Sequence, residues 1–426
     1  MVQIFNKVNK VTGTLSLSGD KSISHRALLI SSLAEGKSNL KNLSNSDDVK
    51  STISCLQALG IEIKPSESEL TVSGRGYKGY RQPLNPLDCG NSGTTARLLA
   101  GILSAQSFES VITGDSSLSS RPMKRVIEPL TLMGINISSN NDGRLPLHIF
   151  SAESFRAIKY NLPVPSAQVK SAILFAGLHL DDETIVIESQ PTRNHTENLL
   201  NLKVNNEGGT IISRVSKNNY PEPKEYFIPG DISLAMFFVV LTLLTKNSEL
   251  VIKDVSLNPT RTECLNLLKR MGGDIQVEGK GISNNEVYGN LLVKSSNLSN
   301  VKIDAEIIPT IIDEIPILTV AGIFAYGDFE IRGASELRMK ESDRIKAICS
   351  NLLRLGLDNE EFDDGFRVSG SIKKQSKPFE SFGDHRIAMA FAILSSLLEV
   401  GGRVEGFECS SVSNPGFLEQ LSSITD

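Results

Sequence analysis

Basic and small polar residues gather at the starts of apolar runs in this chain, a pattern suited to holding anions. Gly19-Asp20-Lys21-Ser22, Gly90-Asn91-Ser92-Gly93-Thr94, Ser166-Ala167-Gln168, Gly230-Asp231-Ile232-Ser233 and Gly383-Asp384-His385-Arg386 each open such a run. A sixth cluster, Asp313-Glu314 before Ile315-Pro316, is degenerate but falls at the right interval. Each reads as a helix N-terminus, where hydroxyl and carboxylate side chains cap free backbone N–H groups. Such an end attracts negative charge through its unpaired N–H groups and the helix dipole. Several clusters add Lys or Arg. Ser22 and Arg26 lie four apart, on one helical face, and so do Lys340 and Arg344, with Glu341 between them. Taken singly, these pairs also fit capped or salt-bridged surface helices.

The elements that must position these residues recur. Successive clusters lie roughly 65 to 80 residues apart, the size of a supersecondary unit. Each cluster is followed by a second half: a strand, a Ser/Asn/Asp turn, then a helix ending near Leu59-Gly60, Met133-Gly134, Met271-Gly272 or Leu355-Gly356. Glycine there suits a left-handed helix C-terminus. The unit is strand-helix-strand-helix-strand, with room for one more strand, repeated six times. Three units before about Pro229 and three after predict two pseudo-symmetric α/β domains. The turn-rich Asn218-Asn219-Tyr220-Pro221-Glu222-Pro223 fits a crossover near that point.

With 426 residues, 40% hydrophobic, the chain can bury a large core in two or three domains. Its net charge of −5 argues against a nucleic-acid backbone as partner. The useful basic residues must then be concentrated locally, in a cleft that focuses their field. Cys55, Cys89, Cys264, Cys349 and Cys409 are odd in number and lack C-x-x-C spacing, which predicts a reduced cytoplasmic chain. His25, His148, His179, His195 and His385 show no metal-ligand spacing. The polar stretch from Met1 to Val11 lacks the apolar core of a signal peptide. The longest apolar run, Leu234 to Leu244, is too short for a bilayer, so neither membrane nor nucleic acid is expected as a partner. Gly19-Asp20-Lys21-Ser22 imitates the end of a P-loop, but Asp20 intrudes and position 14 is Thr14 rather than glycine.

Lys21-Ser22-Ile23-Ser24-His25-Arg26-Ala27-Leu28-Leu29, Gly90-Asn91-Ser92-Gly93-Thr94, Ser119-Ser120-Arg121-Pro122-Met123, Lys340-Glu341-Ser342-Asp343-Arg344 and Asp384-His385-Arg386 follow one another in that order. Together they resemble the EPSP synthase family, the 3-phosphoshikimate 1-carboxyvinyltransferases, over nearly the whole chain. The resemblance implies the two-domain enolpyruvyl-transferase fold: six βαβαββ-like units, three per domain, with the domains hinged to close over the site. One domain would be discontinuous, 1–19 plus 229–426, the other would be 20–228, and the active site would lie in the cleft between them. The implied activity joins phosphoenolpyruvate to the 5-hydroxyl of shikimate 3-phosphate and releases phosphate, by a monomer, with no metal or organic cofactor. The same resemblance implies glyphosate as a competitor at the phosphoenolpyruvate site.

By resemblance, Lys21, Ser22 and Arg26 would hold shikimate 3-phosphate, with Lys21 also reaching phosphoenolpyruvate. Gly93, Arg121, Arg344 and Arg386 would contact phosphoenolpyruvate. Ser166, the backbone at Ala167, and Gln168 would hold the shikimate phosphate and ring hydroxyls. Arg193, in Pro191-Thr192-Arg193-Asn194-His195-Thr196-Glu197, fits the bacterial members that place Arg against that phosphate. Asp313 would accept the 5-hydroxyl proton and Lys340 would bind shikimate 3-phosphate beside it, while Glu341 or Lys21 would protonate the methylene carbon. By pattern alone Asp313 is a helix N-cap, with Glu314 a competing carboxylate beside it.

The resemblance has gaps. Ser411-Val412-Ser413-Asn414-Pro415-Gly416-Phe417 lacks the lysine many members carry there, and Glu336 stands where many have Asn. Two other readings compete: transfer of enolpyruvyl to UDP-N-acetylglucosamine, and a non-catalytic anion-binding homologue. The former family typically opens with Lys-Asn where this chain has Lys21-Ser22, and usually carries a loop cysteine that is missing between Gly101 and Pro163.

Overall fold

A computed structural model describes residues 1–66, 69–140, 142–151, 154–373 and 375–426. The chain divides into two compact units. One comprises Met1–Leu17, Gly230–Gly281 and Val287–Asp426; the other comprises Ser18–Pro229 with the short segment Ile282–Glu286. Against the expected boundaries after residues 19 and 228, residues 18, 19 and 229 lie with the inserted unit, and 282–286 join it as well.

The inserted unit repeats one sheet pattern three times. Strand Glu225–Phe227 runs parallel to Gly36–Lys41, which pairs antiparallel with Glu69–Gly74, which pairs antiparallel with Glu62–Pro65. The same order recurs in Leu87–Asp88, Ser110–Thr113, Arg144–Ile149 and Ile137–Asn140. It recurs again in Lys159–Asn161, Thr184–Glu188, Thr210–Val215 and Val204–Glu207. Among its described residues the discontinuous unit holds one four-stranded sheet, in which Thr12–Ser16 runs parallel to Glu249–Ser256, and two three-stranded sheets. Among the described residues there are six sheets, each accompanied by helices, matching the sixfold α/β repeat that the spacing of the polar clusters implied.

Each unit is organised around three buried helices that begin at those clusters. Lys21–Leu33, Gly93–Leu103 and Ala167–Gly177 serve the inserted unit, and Ile232–Leu244, Ile315–Phe324 and His385–Leu397 the other. Helix Ile232–Leu244 is apolar nearly all round, and only Leu244 escapes full burial, as a helix packed on every side requires. Among the described residues no single helix is long and apolar enough to cross a membrane.

Local chemistry explains the helix starts. Asp20 accepts from Ile23 N at 3.0 Å, Ser92 from Thr95 N at 3.1 Å, Ser166 from Val169 N at 3.4 Å, Asp231 from Ser233 N at 2.8 Å and Asp384 from Arg386 N at 2.8 Å. The sixth start departs from the pattern. Asp313 is not the cap that bare pattern suggests: Glu314 holds the cap position of Ile315–Phe324, without a side-chain capping bond. Both carboxylates are instead drawn to basic side chains. The second-half helices end as expected, with Gly134 at φ 95° and Gly272 at φ 99°, a backbone that glycine adopts without strain.

Candidate active site

The helix Lys21–Leu33 presents its first two turns as a cationic surface whose charges are already partnered. Lys21 Nζ lies 2.7 Å from Asp48 Oδ2. Arg26, 2% exposed, donates from Nε to Thr196 Oγ1 at 2.7 Å, from Nη2 to Ser171 Oγ at 2.8 Å and from Nη1 to the Ser22 carbonyl at 2.9 Å. Burial lowers its pKa to about 10; Glu197 opposes the shift and Arg193 adds to it. Ser171 and Thr196 hydrogen-bond each other at 2.7 Å, and their chain neighbours Lys170 and Glu197 belong to a buried ion triad in which Lys170 Nζ lies 2.6 Å from Glu188 and 2.7 Å from Glu197.

A second basic group surrounds the start of Gly93–Leu103. Arg121 donates from Nη2 to Asn91 Oδ1 at 2.6 Å and to Ser117 Oγ at 3.1 Å. Gln168 accepts from Arg97 Nη1 at 2.6 Å and donates to Thr94 Oγ1 at 2.9 Å. A Cβ on Gly93 would stand 2.7 Å from Arg97 Nη1 and 3.5 Å from Arg121 Nη1, so the glycine keeps space open beside two guanidiniums. Ser166 caps the helix that Ala167 begins, which leaves the Ala167 backbone at an anion-favouring end.

In the discontinuous unit Asp313 is the centre. Its Oδ1 accepts from Lys340 Nζ at 3.2 Å and Arg344 Nη1 at 3.3 Å, and its carbonyl accepts from Arg386 Nη1 at 2.8 Å. Arg344, 1% exposed, also donates to Asp384 at 2.7 Å and to Glu341 Oε2 at 2.6 Å. Burial opposes its charge, but Asp384, Glu341 and Asp313 outweigh that and hold its pKa above the ordinary arginine value. Three cations and two carboxylates, Asp313 and Glu341, thus form one cluster, with Asp384 behind it.

The residues named from the sequence therefore fall into three groups. Lys340, Glu341, Arg344, Arg386 and Asp313 come together in one unit. In the other, Ser22 and Arg26 form one group, with Lys21 paired to Asp48 on the same helix and the charge of Arg193 felt at Arg26; Gly93, Arg121 and Gln168 form another, with Ser166 and Ala167 at the start of the helix that carries Gln168. Sequence reasoning missed Arg97, Asp48, Ser171 and Thr196. Arg97 carried one usable signal, its position four residues after Gly93 on the same helical face. Asp48 stood in a Ser46-Asp47-Asp48 cluster readable only as a turn. Glu336 falls in the short 3₁₀ turn Ser335–Met339. In the lysine-free stretch, Asn414 is buried and donates to Gln420 Oε1 at 2.8 Å, a structural contact.

The sequence model of the family described as EPSP synthase (3-phosphoshikimate 1-carboxyvinyltransferase) matches residues 5–421. A 3-phosphoshikimate 1-carboxyvinyltransferase from Petrotoga mobilis is 47% identical over 420 residues, 97% of each chain. An EPSP synthase structure from Acinetobacter baumannii superposes with a TM-score of 0.86 at 37% identity, covering 100% of this chain and 98% of that one. The enolpyruvyl transferase NikO from Streptomyces tendae shares the fold at a TM-score of 0.76 and 16% identity, covering 100% of this chain and 97% of its own. The basic groups around Asp313, Arg26 and Gly93 are thus carried by a chain that belongs to the EPSP synthase family.

Proposed function

We propose that the chain transfers the enolpyruvyl group of phosphoenolpyruvate to the 5-hydroxyl of shikimate 3-phosphate, releasing phosphate, in the shikimate pathway to chorismate and the aromatic amino acids. The observation that carries the chemistry is the Asp313 carboxylate, hydrogen-bonded by Lys340 and Arg344 with Arg386 on its own carbonyl. A base set among cations is what attack of an alcohol on a multiply charged anion requires, because the cations stabilise charge as it develops.

In this reading Asp313 takes the 5-hydroxyl proton as that oxygen bonds to C2 of phosphoenolpyruvate, and C3 gains a proton to give a tetrahedral ketal. The C2–O bond to phosphate then breaks, C3 loses a proton, and the vinyl group is restored. Lys340 steadies the reacting hydroxyl, while Arg121, Arg344, Arg386 and the space at Gly93 serve phosphoenolpyruvate. Ser22, Arg26, Ser166, Ala167, Gln168 and Arg193 serve shikimate 3-phosphate, and Lys21 serves both. Glu341 or Lys21 supplies the C3 proton. Glu341 is paired with Arg344 at 2.6 Å, so it can act as an acid only if bound phosphoenolpyruvate draws that guanidinium away. The reading requires both compact units to act on the same two substrates, in a cytoplasmic monomer, with glyphosate competing against phosphoenolpyruvate.

Phosphate release from phosphoenolpyruvate is the test. It should appear with shikimate 3-phosphate and be absent with UDP-N-acetylglucosamine as acceptor. Asp313→Ala should lower kcat by about 10²–10⁴, the usual worth of a general base, and alter substrate binding far less. Equal losses in binding and turnover would reduce Asp313 to a structural role.

A further inference from the structure

Beside the Asp313 cluster lies a second buried polar chain that the reaction scheme does not use. Glu314 is 1% exposed and Arg261 is 2% exposed. Arg261 Nη2 lies 3.4 Å from Glu314 Oε1. The Ser233 hydroxyl stands between them, hydrogen-bonded to both the Arg261 guanidinium and the Glu314 carboxylate. A guanidinium can only donate, so Ser233 accepts from Arg261 and its own proton points to Glu314. The backbone N of Ser233 is fixed in turn by Asp231 Oδ1 at 2.8 Å. On the far side, Glu314 Oε1 lies 3.7 Å from Arg386 Nη1, the same nitrogen that donates to the Asp313 carbonyl at 2.8 Å. The carboxylate of Asp313 is farther from this guanidinium, with Oδ2 4.0 Å from Nη2.

We infer that Glu314, braced by Arg261 and Ser233, is a positioning residue that orients Arg386 toward phosphoenolpyruvate. The inference rests on the proposed role of Arg386. Asp313 is already shared by Lys340 and Arg344, so the Asp313 carbonyl and Glu314 are what direct the Arg386 fork. A side chain held from behind by a carboxylate keeps its remaining N–H groups aimed forward, and the entropy of ordering it is not charged to substrate binding. A chain of buried ions also needs a reason beyond stability, since well-packed apolar replacements of similar volume are often as stable. The signal in the sequence was faint: Glu314 read only as a rival to Asp313.

The experiment compares Arg261→Met/Glu314→Leu, Ser233→Ala and Arg386→Lys, measuring the KM of each substrate, kcat and the melting temperature. The double variant removes both buried charges together. It is expected to melt near the parent, with the KM for phosphoenolpyruvate raised about tenfold and that for shikimate 3-phosphate within about twofold. Ser233→Ala keeps all three charges and carries the test if the double variant does not fold; a rise of about threefold, confined to phosphoenolpyruvate, is expected. The inference is overturned if Arg386→Lys raises the KM for phosphoenolpyruvate while the variants behind it leave that KM alone or raise both equally. If Arg386→Lys itself leaves the KM for phosphoenolpyruvate unchanged, the proposed role of Arg386 fails first and takes the inference with it.

Discussion

His179 packs against the rings of Tyr77 and Tyr220, with centroids at 4.5 and 5.8 Å, and burial lowers its pKa from 6.5 to about 4. The folded chain keeps it neutral at pH values where the unfolded chain binds a proton. The contribution of His179 to stability therefore falls as the pH drops from about 6.5 to about 4 and changes no further below that. This loss amounts to up to about 3 kcal/mol. His25 acts in the same direction, lowered by burial first and then by Lys21 and Arg26. Urea midpoints at pH 7 and pH 4.5 should show the difference: His179→Phe should lose clearly less stability than the parent between the two. An identical loss in both would locate the acid sensitivity elsewhere. The letter H gave no hint of this, because five scattered histidines differ only in what surrounds them. The partners of Arg97 and Asp48, Gln168 and Lys21, were hidden in the same way, although the spacing of Arg97 from Gly93 was visible.

Among the helices, the legible features were those set by neighbours in sequence. A cap needs only a hydroxyl or carboxylate two or three residues before the N–H it serves, and five of the six starts could be read from that spacing. The sixth could not, because Asp313 and Glu314 answer to Lys340, Arg344, Arg261 and Arg386, all distant along the chain. Sheets were less legible still: alternation marks a strand but not its partner, and nothing in Glu225–Phe227 announces Gly36–Lys41. Two-residue Leu87–Asp88 is too short to carry a pattern at all. Ser92 shows what a local cap contributes. Its hydroxyl accepts from Thr95 N at 3.1 Å and from Thr95 Oγ1 at 2.7 Å, and it is fully buried. Ser92→Ala removes an acceptor where water cannot replace it, so a loss of about 1–2 kcal/mol is expected. Ser92→Thr should recover most of it. A urea midpoint for Ser92→Ala indistinguishable from the parent would show that the helix start does not depend on its cap.

At the scale of the whole chain, the repeat count set the architecture, and continuity of the chain set its unevenness. One unit is inserted into the other, and Ile282–Glu286 belongs with the inserted one. There Glu286 accepts from His195 Nδ1 at 2.8 Å and Asn198 Nδ2 at 3.1 Å. No local pattern in a turn of Ser283-Asn284-Asn285 foretells that. Each unit has its own buried apolar cluster: Phe175 lies in that of the inserted unit and Phe238 in that of the discontinuous unit, both unexposed. Truncating either to alanine removes about 3–5 kcal/mol from the cluster it fills. If each core stabilises its own unit, calorimetry should resolve two transitions, one lowered by Phe175→Ala and the other by Phe238→Ala. Shikimate 3-phosphate discriminates further, because most of its proposed contacts, from Ser22 to Arg193, lie in the inserted unit. At a hundred times its dissociation constant a ligand stabilises what it binds by about 2.7 kcal/mol. The transition it raises should therefore be the one that Phe175→Ala lowers. If it raised only the Phe238-sensitive transition, the shikimate phosphate would have to be held by Lys340 and its neighbours, and the roles given to Arg26 and Arg193 would fall.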